Sequence, residues 1–262
     1  QGVSSAASDV YKRQIQDKIV SLRKLLKIAD LSNLYEFNSA VSYRNTQDFS
    51  ETSIVNSNVM LELAIDEARN ATDNKYEKKK LKKALPVIKK MSLESPESFF
   101  PELKNVLLEC GIVLVALPKL KNANLNGATK KFKNGSVLLL ITDRNKKSDI
   151  FWFSLIHELG HIYNDDFYSN YEEHDKYSSK EKKADQFALD FYISQNLYDE
   201  FVKENDFSKE SIVEFSNKLE ILPSILVGRL QKDKHVLYND KELNKMRHSY
   251  TIVLTSRENV GN

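Results

Sequence analysis

Residues 157 to 161 read His-Glu-Leu-Gly-His. On a helix of 3.6 residues per turn, positions i and i+4 share one face, so His157 and His161 can reach one ion together. Two ring nitrogens about 2.0–2.1 Å from a Zn²⁺ fit that spacing without distorting the backbone. Glu158 lies about 100° further round the helix. From there it can take a proton from a metal-held water, as the general base of a hydrolase does. Trp152, Phe153, Leu155, Ile156, Leu159 and Ile162 make the segment apolar nearly all round. Such a helix should be buried, and buried imidazoles and carboxylates need partners. The plain alternative is a pair of core histidines satisfied by hydrogen bonds.

A catalytic zinc takes three protein ligands and keeps one position open. The candidates downstream are Glu172, Glu173, His174, Glu181 and Asp185. Ala184, Phe187, Ala188 and Phe191 recur at i, i+3, i+4 and i+7, and Glu181 falls three residues earlier on the same inward stripe. Ser178-x-x-Glu181 is also a capping box, which would use that carboxylate to close a helix start. Asp185, one turn on, suits holding the far ring nitrogen of a ligating histidine. A salt bridge to a neighbouring lysine is its other reading. His174 sits in a polar loop and is a reserve ligand.

Several elements must position these groups. Ser148 can cap a helix running to about Asn164, and a polar loop at 165–177 leads to a second helix over about 179–194. Ahead of them, "IVLVALP" (112–118) reads as a buried strand. Residues 126–143 read as a hairpin turning at Asn134-Gly135. Its polar arm, Ala128 to Lys133, should be an edge strand, and its apolar arm, Val137 to Ile141, a central one. Gly127, Ala128 and Thr129 could then pair with an extended substrate backbone; a solvated edge protected by lysines is the alternative. Gly160 costs about 1 kcal/mol against Ala inside a helix and would admit a close neighbour. Further helical patterns run from Ile15, over 59–71, over 75–92 with Pro86 expected to kink or split it, and over 94–111 with Pro101 in the first turn and Gly111 as the stop. A polar stretch at 43–58 separates the first two. Helices at 208–221 and 223–233 complete the set.

The fold expected is α+β: mostly helical, with a small three-stranded mixed sheet packed on the helix of the two histidines. The chain divides into 1–14, a helical region 15–93, a site domain 94–235 and an extension 236–262. "QGVSSAASDVYKRQ" (1–14) looks like translated adaptor sequence, which would place the authentic start upstream.

Apolar residues are 41% of the chain, enough for a core. A net charge of +2 does not mark a nucleic-acid binder overall. Lys78, Lys79, Lys80, Lys82, Lys83, Lys89 and Lys90 crowd together, a run that reads as a solvated helix face. The single cysteine, Cys110, excludes an internal disulfide and fits a reducing compartment. No apolar run approaches the ~20 residues that span a bilayer, and no signal peptide is visible. A cytoplasmic protein that does not engage a membrane is expected.

His-Glu-Leu-Gly-His, followed about twenty residues later by Glu-x-x-Ala-Asp-x-Phe-Ala, resembles the ImmA/IrrE-type metallopeptidases, and the Glu181–Asp185 spacing is similar to the gluzincin pattern. The resemblance spans about 95–235. It implies a zincin-like peptidase domain that binds Zn²⁺ through His157, His161 and Glu181, with Glu158 as general base. It also implies a specific protein substrate, a DNA-binding repressor or an antitoxin, with DNA met only indirectly or through a missing N-terminal helix-turn-helix domain. Two positions depart from the family: Phe191-Tyr192-Ile193-Ser194 replaces a Leu-Leu-Met-Pro-like run, and Asp185 stands where Asn is frequent. A rival expectation is a non-catalytic regulator or antitoxin module in which the zinc is structural or sensory.

Overall fold

The computed structural model describes residues 2–35, 50–167 and 174–253. Helix α1 (Gly2–Leu26) and a short 3₁₀ turn (Leu31–Leu34) precede α2 (Glu51–Ala68), α3 (Lys78–Met91) and α4 (Pro96–Glu109). Three strands follow, β1 (Ile112–Leu117), β2 (Gly127–Lys131) and β3 (Val137–Thr142). Then come α5 (Ser148–Asn164), α6 (His174–Tyr192), α7 (Gln195–Glu204), α8 (Lys209–Lys218), α9 (Pro223–Lys232) and α10 (Lys241–Asn244). The protein is α+β, with a small mixed sheet of order β1-β3-β2. β1 runs parallel to β3, and β2 antiparallel to it with Gly127 opposite Ile141.

Every residue of β3 is buried because the sheet is covered on both faces. Side chains alternate along a strand. Leu138 and Leu140, with Val113, Val115 and Ala128, pack under Met60, Leu61, Ala64 and Ile65 of α2. Val137, Leu139 and Ile141, with Ile112 and Leu114, join the larger core against α4 and α5. The strand expected to be central is central, and the polar arm is the edge. Its turn closes as its residues dictate: Gly135 has φ +92°, and Asn134 Oδ1 accepts from the backbone N–H of Ser136 at 3.0 Å.

Several local expectations are corrected. The polar stretch becomes helical from Glu51, capped by Ser50, whose Oγ accepts from the N–H of Ser53. Its members Ser53 and Ser57 are buried, and Asn58 Nδ2 donates to the carbonyl of Leu34. α3 runs unbroken through Pro86. Pro86 and Lys82 lie on its exposed side, where water can take the carbonyl that the missing N–H leaves free. Pro96, not Pro101, occupies the first turn of α4. Gly111 does end that helix, at φ +78°. Ser148 is the first helical residue of α5 and not its cap; its Oγ bonds Ser224 Oγ at 2.9 Å. α7 went unrecognised in the sequence.

Residues 2–14 continue one helix with the segment after them, and the side chains of Lys12 to Leu25 are exposed. At the other end the chain folds back onto the core. Tyr250 packs on Phe99 and Phe151. Arg247 makes a bidentate pair with Asp149 at 2.9 and 2.8 Å. Among the described residues, no helix is long and apolar enough to cross a membrane.

Candidate metal centre

α5 is buried on nearly every side, between the sheet, α6 and α9. Gly160 is what brings α6 close. A Cβ there would stand 3.2 Å from Ala184 Cα and 3.2 Å from Phe187 Cδ1, tighter than ordinary contact. The two helices therefore meet where α5 carries the histidines and α6 carries Glu181 and Asp185.

His157 Nε2 and His161 Nε2 are 3.1 Å apart. Glu181 spans them, with Oε2 3.4 Å from His157 Nε2 and Oε1 3.3 Å from His161 Nε2. Three donor atoms from one helix pair thus converge on a common point, the inner two residues being 2% and 0% exposed. α6 starts at His174, so Ser178 lies inside the helix and the capping-box role for Glu181 is excluded. Asp185 Oδ1 accepts a hydrogen bond from His157 Nδ1 at 2.9 Å. That bond fixes the tautomer that leaves Nε2 turned toward the centre.

The electrostatics agree with a site built for a cation. Burial disfavours charge on His157, but hydrogen bonds to Asp185 and Glu181 and the nearby charge of Glu158 outweigh it, and its pKa is pushed up to about 9. Burial also works against the Glu181 carboxylate, yet hydrogen bonds from His157 and His161 hold it well below the usual carboxylate range. Two buried nitrogens and a partly exposed carboxylate oxygen, mutually within 4.8 Å, suit a borderline divalent ion. This buried His-His-Glu group could hold a metal ion.

Glu158 is 2% exposed, lies against Gly127 at the sheet edge, and is near enough for its charge to act on His157. A Cβ on Gly127 would lie 2.6 Å from Glu158 Cγ and 2.8 Å from its Oε1, so only glycine at the start of β2 leaves room for the carboxylate. Gly127 is thus beside Glu158, in an edge strand that pairs only with β3 among the described residues, while Ala128 packs under α2. Gly127, Ala128 and Thr129 are buried as whole residues, backbone included, Ala128 at 0% and Thr129 at 2% exposure.

Glu172, Glu173 and Tyr168 lie outside the described residues, and so does the side chain of His174. A hydrolase of this kind also uses a second donor to the oxyanion; Tyr163, Tyr168, Arg229, His235 and His248 could supply it, and three of them are engaged elsewhere. Tyr163 packs on Phe187 with Lys78 over its ring. Arg229 donates to the Ile193 carbonyl and to Gln195. His235 packs on Tyr198 and Phe207. His248 is exposed, and its backbone carbonyl accepts from the N–H of Ser148. The Asp149–Arg247 pair anchors the start of α5, and its only signal in the sequence is an acid in the first helical turn. No family model, curated protein or solved structure matches the chain.

Proposed function

We propose that the protein is a zinc-dependent endopeptidase acting on a specific regulatory protein, a repressor or antitoxin, as the resemblance to the ImmA/IrrE-type metallopeptidases suggests. The observation that carries the reading is Glu158: a buried carboxylate next to the triad, outside the ligand set, held against the glycine that opens an edge strand. A site that served structure or sensing alone has no use for such an acid.

The donor set fits zinc, which when bound supplies Lewis acidity to a water and to the substrate carbonyl. His157, His161 and Glu181 would hold it, and Asp185 would keep the His157 ring in register. Glu158 takes a proton from the attacking water on its carboxylate and passes it to the departing amine nitrogen. A substrate strand added at the edge of β2 would need the buried Gly127–Thr129 backbone to be uncovered first, and would then bring the scissile bond to Glu158 at Gly127.

Glu158→Gln is the test. The zinc-loaded chain is incubated with host proteome, and new protein termini are mapped by mass spectrometry. Wild type should create a small chelator-sensitive set, and the variant should keep its zinc and create none. Cleavage by Glu158→Gln would overturn the mechanism. A wild type that never cleaves would return the protein to the class of zinc-holding regulators.

A further inference from the structure

α3 carries seven lysines and no acid in fourteen residues. Removing those seven from the 39 basic residues leaves 32 against 37 acidic ones, so the positive balance of the chain is concentrated on this helix. At 100° per residue, Lys78, Lys79, Lys82, Lys83, Lys89 and Lys90 fall within an arc of about 140°, along about 18 Å of axis. Lys80 lies off the arc and pairs with Glu77 at 2.6 Å. Lys78 sits over the Tyr163 ring, Lys89 donates to the Tyr192 carbonyl, and Lys90 pairs with Glu220 at 3.4 Å. Lys79, Lys82 and Lys83 are exposed and make no ion pair among the described residues.

We propose that this lysine face of α3 is a docking surface for the phosphate backbone of duplex DNA, bound without reading its sequence. Lys78 and Lys79 lie one turn, about 6 Å along the axis, from Lys82 and Lys83, and Lys89 and Lys90 follow about 10 Å further on, a row of point charges that suits a charged polymer. Lysine binds phosphate as a point charge and carries no base-reading fork, so the contact positions the protein without specifying a site.

Other anionic partners fit less well. A membrane-surface helix buries its apolar side among acyl chains, but Leu81, Ile88 and Met91 are already in the protein core. A protein partner would need an aromatic or arginine anchor, and the arc has neither. Single-stranded nucleic acid would need open rings on which bases stack; the ring beside these lysines, Tyr163, is capped by Lys78 and packs on Phe187. The field is local, so a net charge near zero does not oppose it.

The test is fluorescence anisotropy of a short labelled DNA duplex with the full chain across a salt series, with the fold of each variant checked by circular dichroism. Wild type should bind with log K falling linearly in log salt. The triple variant Lys79→Gln/Lys82→Gln/Lys83→Gln should weaken binding by about tenfold or more and flatten the slope by about 2.7, from ~0.9 for each phosphate released. A control that removes three exposed lysines elsewhere, Lys203→Gln/Lys209→Gln/Lys234→Gln, should change it little. Absence of duplex binding at low salt overturns the proposal, as does an equal loss in the control. Tighter binding to phosphatidylserine vesicles, to an acidic polypeptide or to duplex RNA overturns it as well.

Discussion

His157 Nδ1 lies 2.9 Å from Asp185 Oδ1, one helical turn from Glu181 on the same face of α6. The same helix therefore provides both a candidate ligand and the carboxylate that aims another ligand. Asp185→Ala frees the ring to rotate and should weaken zinc affinity by about 10–100-fold, measured by competition with a chromophoric chelator. Asp185→Asn keeps an acceptor for the Nδ1–H and should retain most of the affinity. Equal affinity in Asp185→Ala and wild type would show that Asp185 does not aim the ring.

Gly160 sets the distance between the two helices. Leucine there would push against Ala184 and Phe187, so Gly160→Leu should cost about 1–3 kcal/mol in urea unfolding. It should also weaken zinc binding, because Glu181 would be displaced from the two imidazoles. A variant that loses stability but binds zinc as wild type does would separate the packing from the site.

The Asp149–Arg247 pair ties the C-terminal segment to the first turn of the metal helix, with side chains only 8% and 10% exposed. Arg247→Ala leaves a buried carboxylate uncompensated and should destabilise the chain by about 3–5 kcal/mol. Asp149→Asn/Arg247→Ala removes the stranded charge and should recover part of the loss. Equal unfolding midpoints for wild type and Arg247→Ala would mean that the pair contributes nothing.

The centre was legible in the sequence where chemistry and helical period coincide. The i, i+4 histidines could share one ion only on a helix, and the stripe through Ala184 and Phe187 already carried Glu181 inward. Gly127 was legible only as strand edge; its contact with Glu158 depends on how β2 crosses α5, which no local pattern encodes. Ser53 and Ser57 misled because polarity was taken for exposure, although small hydroxyl side chains can occupy a packed helix face. Ser148 misled because a good capping residue can be drawn one position inward by a partner such as Ser224. α7 carries Tyr198 and Phe201 at helical spacing in a segment too short and polar for the period to stand out.

Zinc content of Glu181→Gln is the most direct measurement of the central claim, that His157, His161 and Glu181 grip one divalent ion. Wild type dialysed against zinc and then against a mild chelator should retain about one ion per chain, read by atomic emission. Glu181→Gln, folded by circular dichroism, should retain almost none. Zinc retained by the variant at the wild-type level would remove Glu181 from the ligand set and contradict the three-ligand centre.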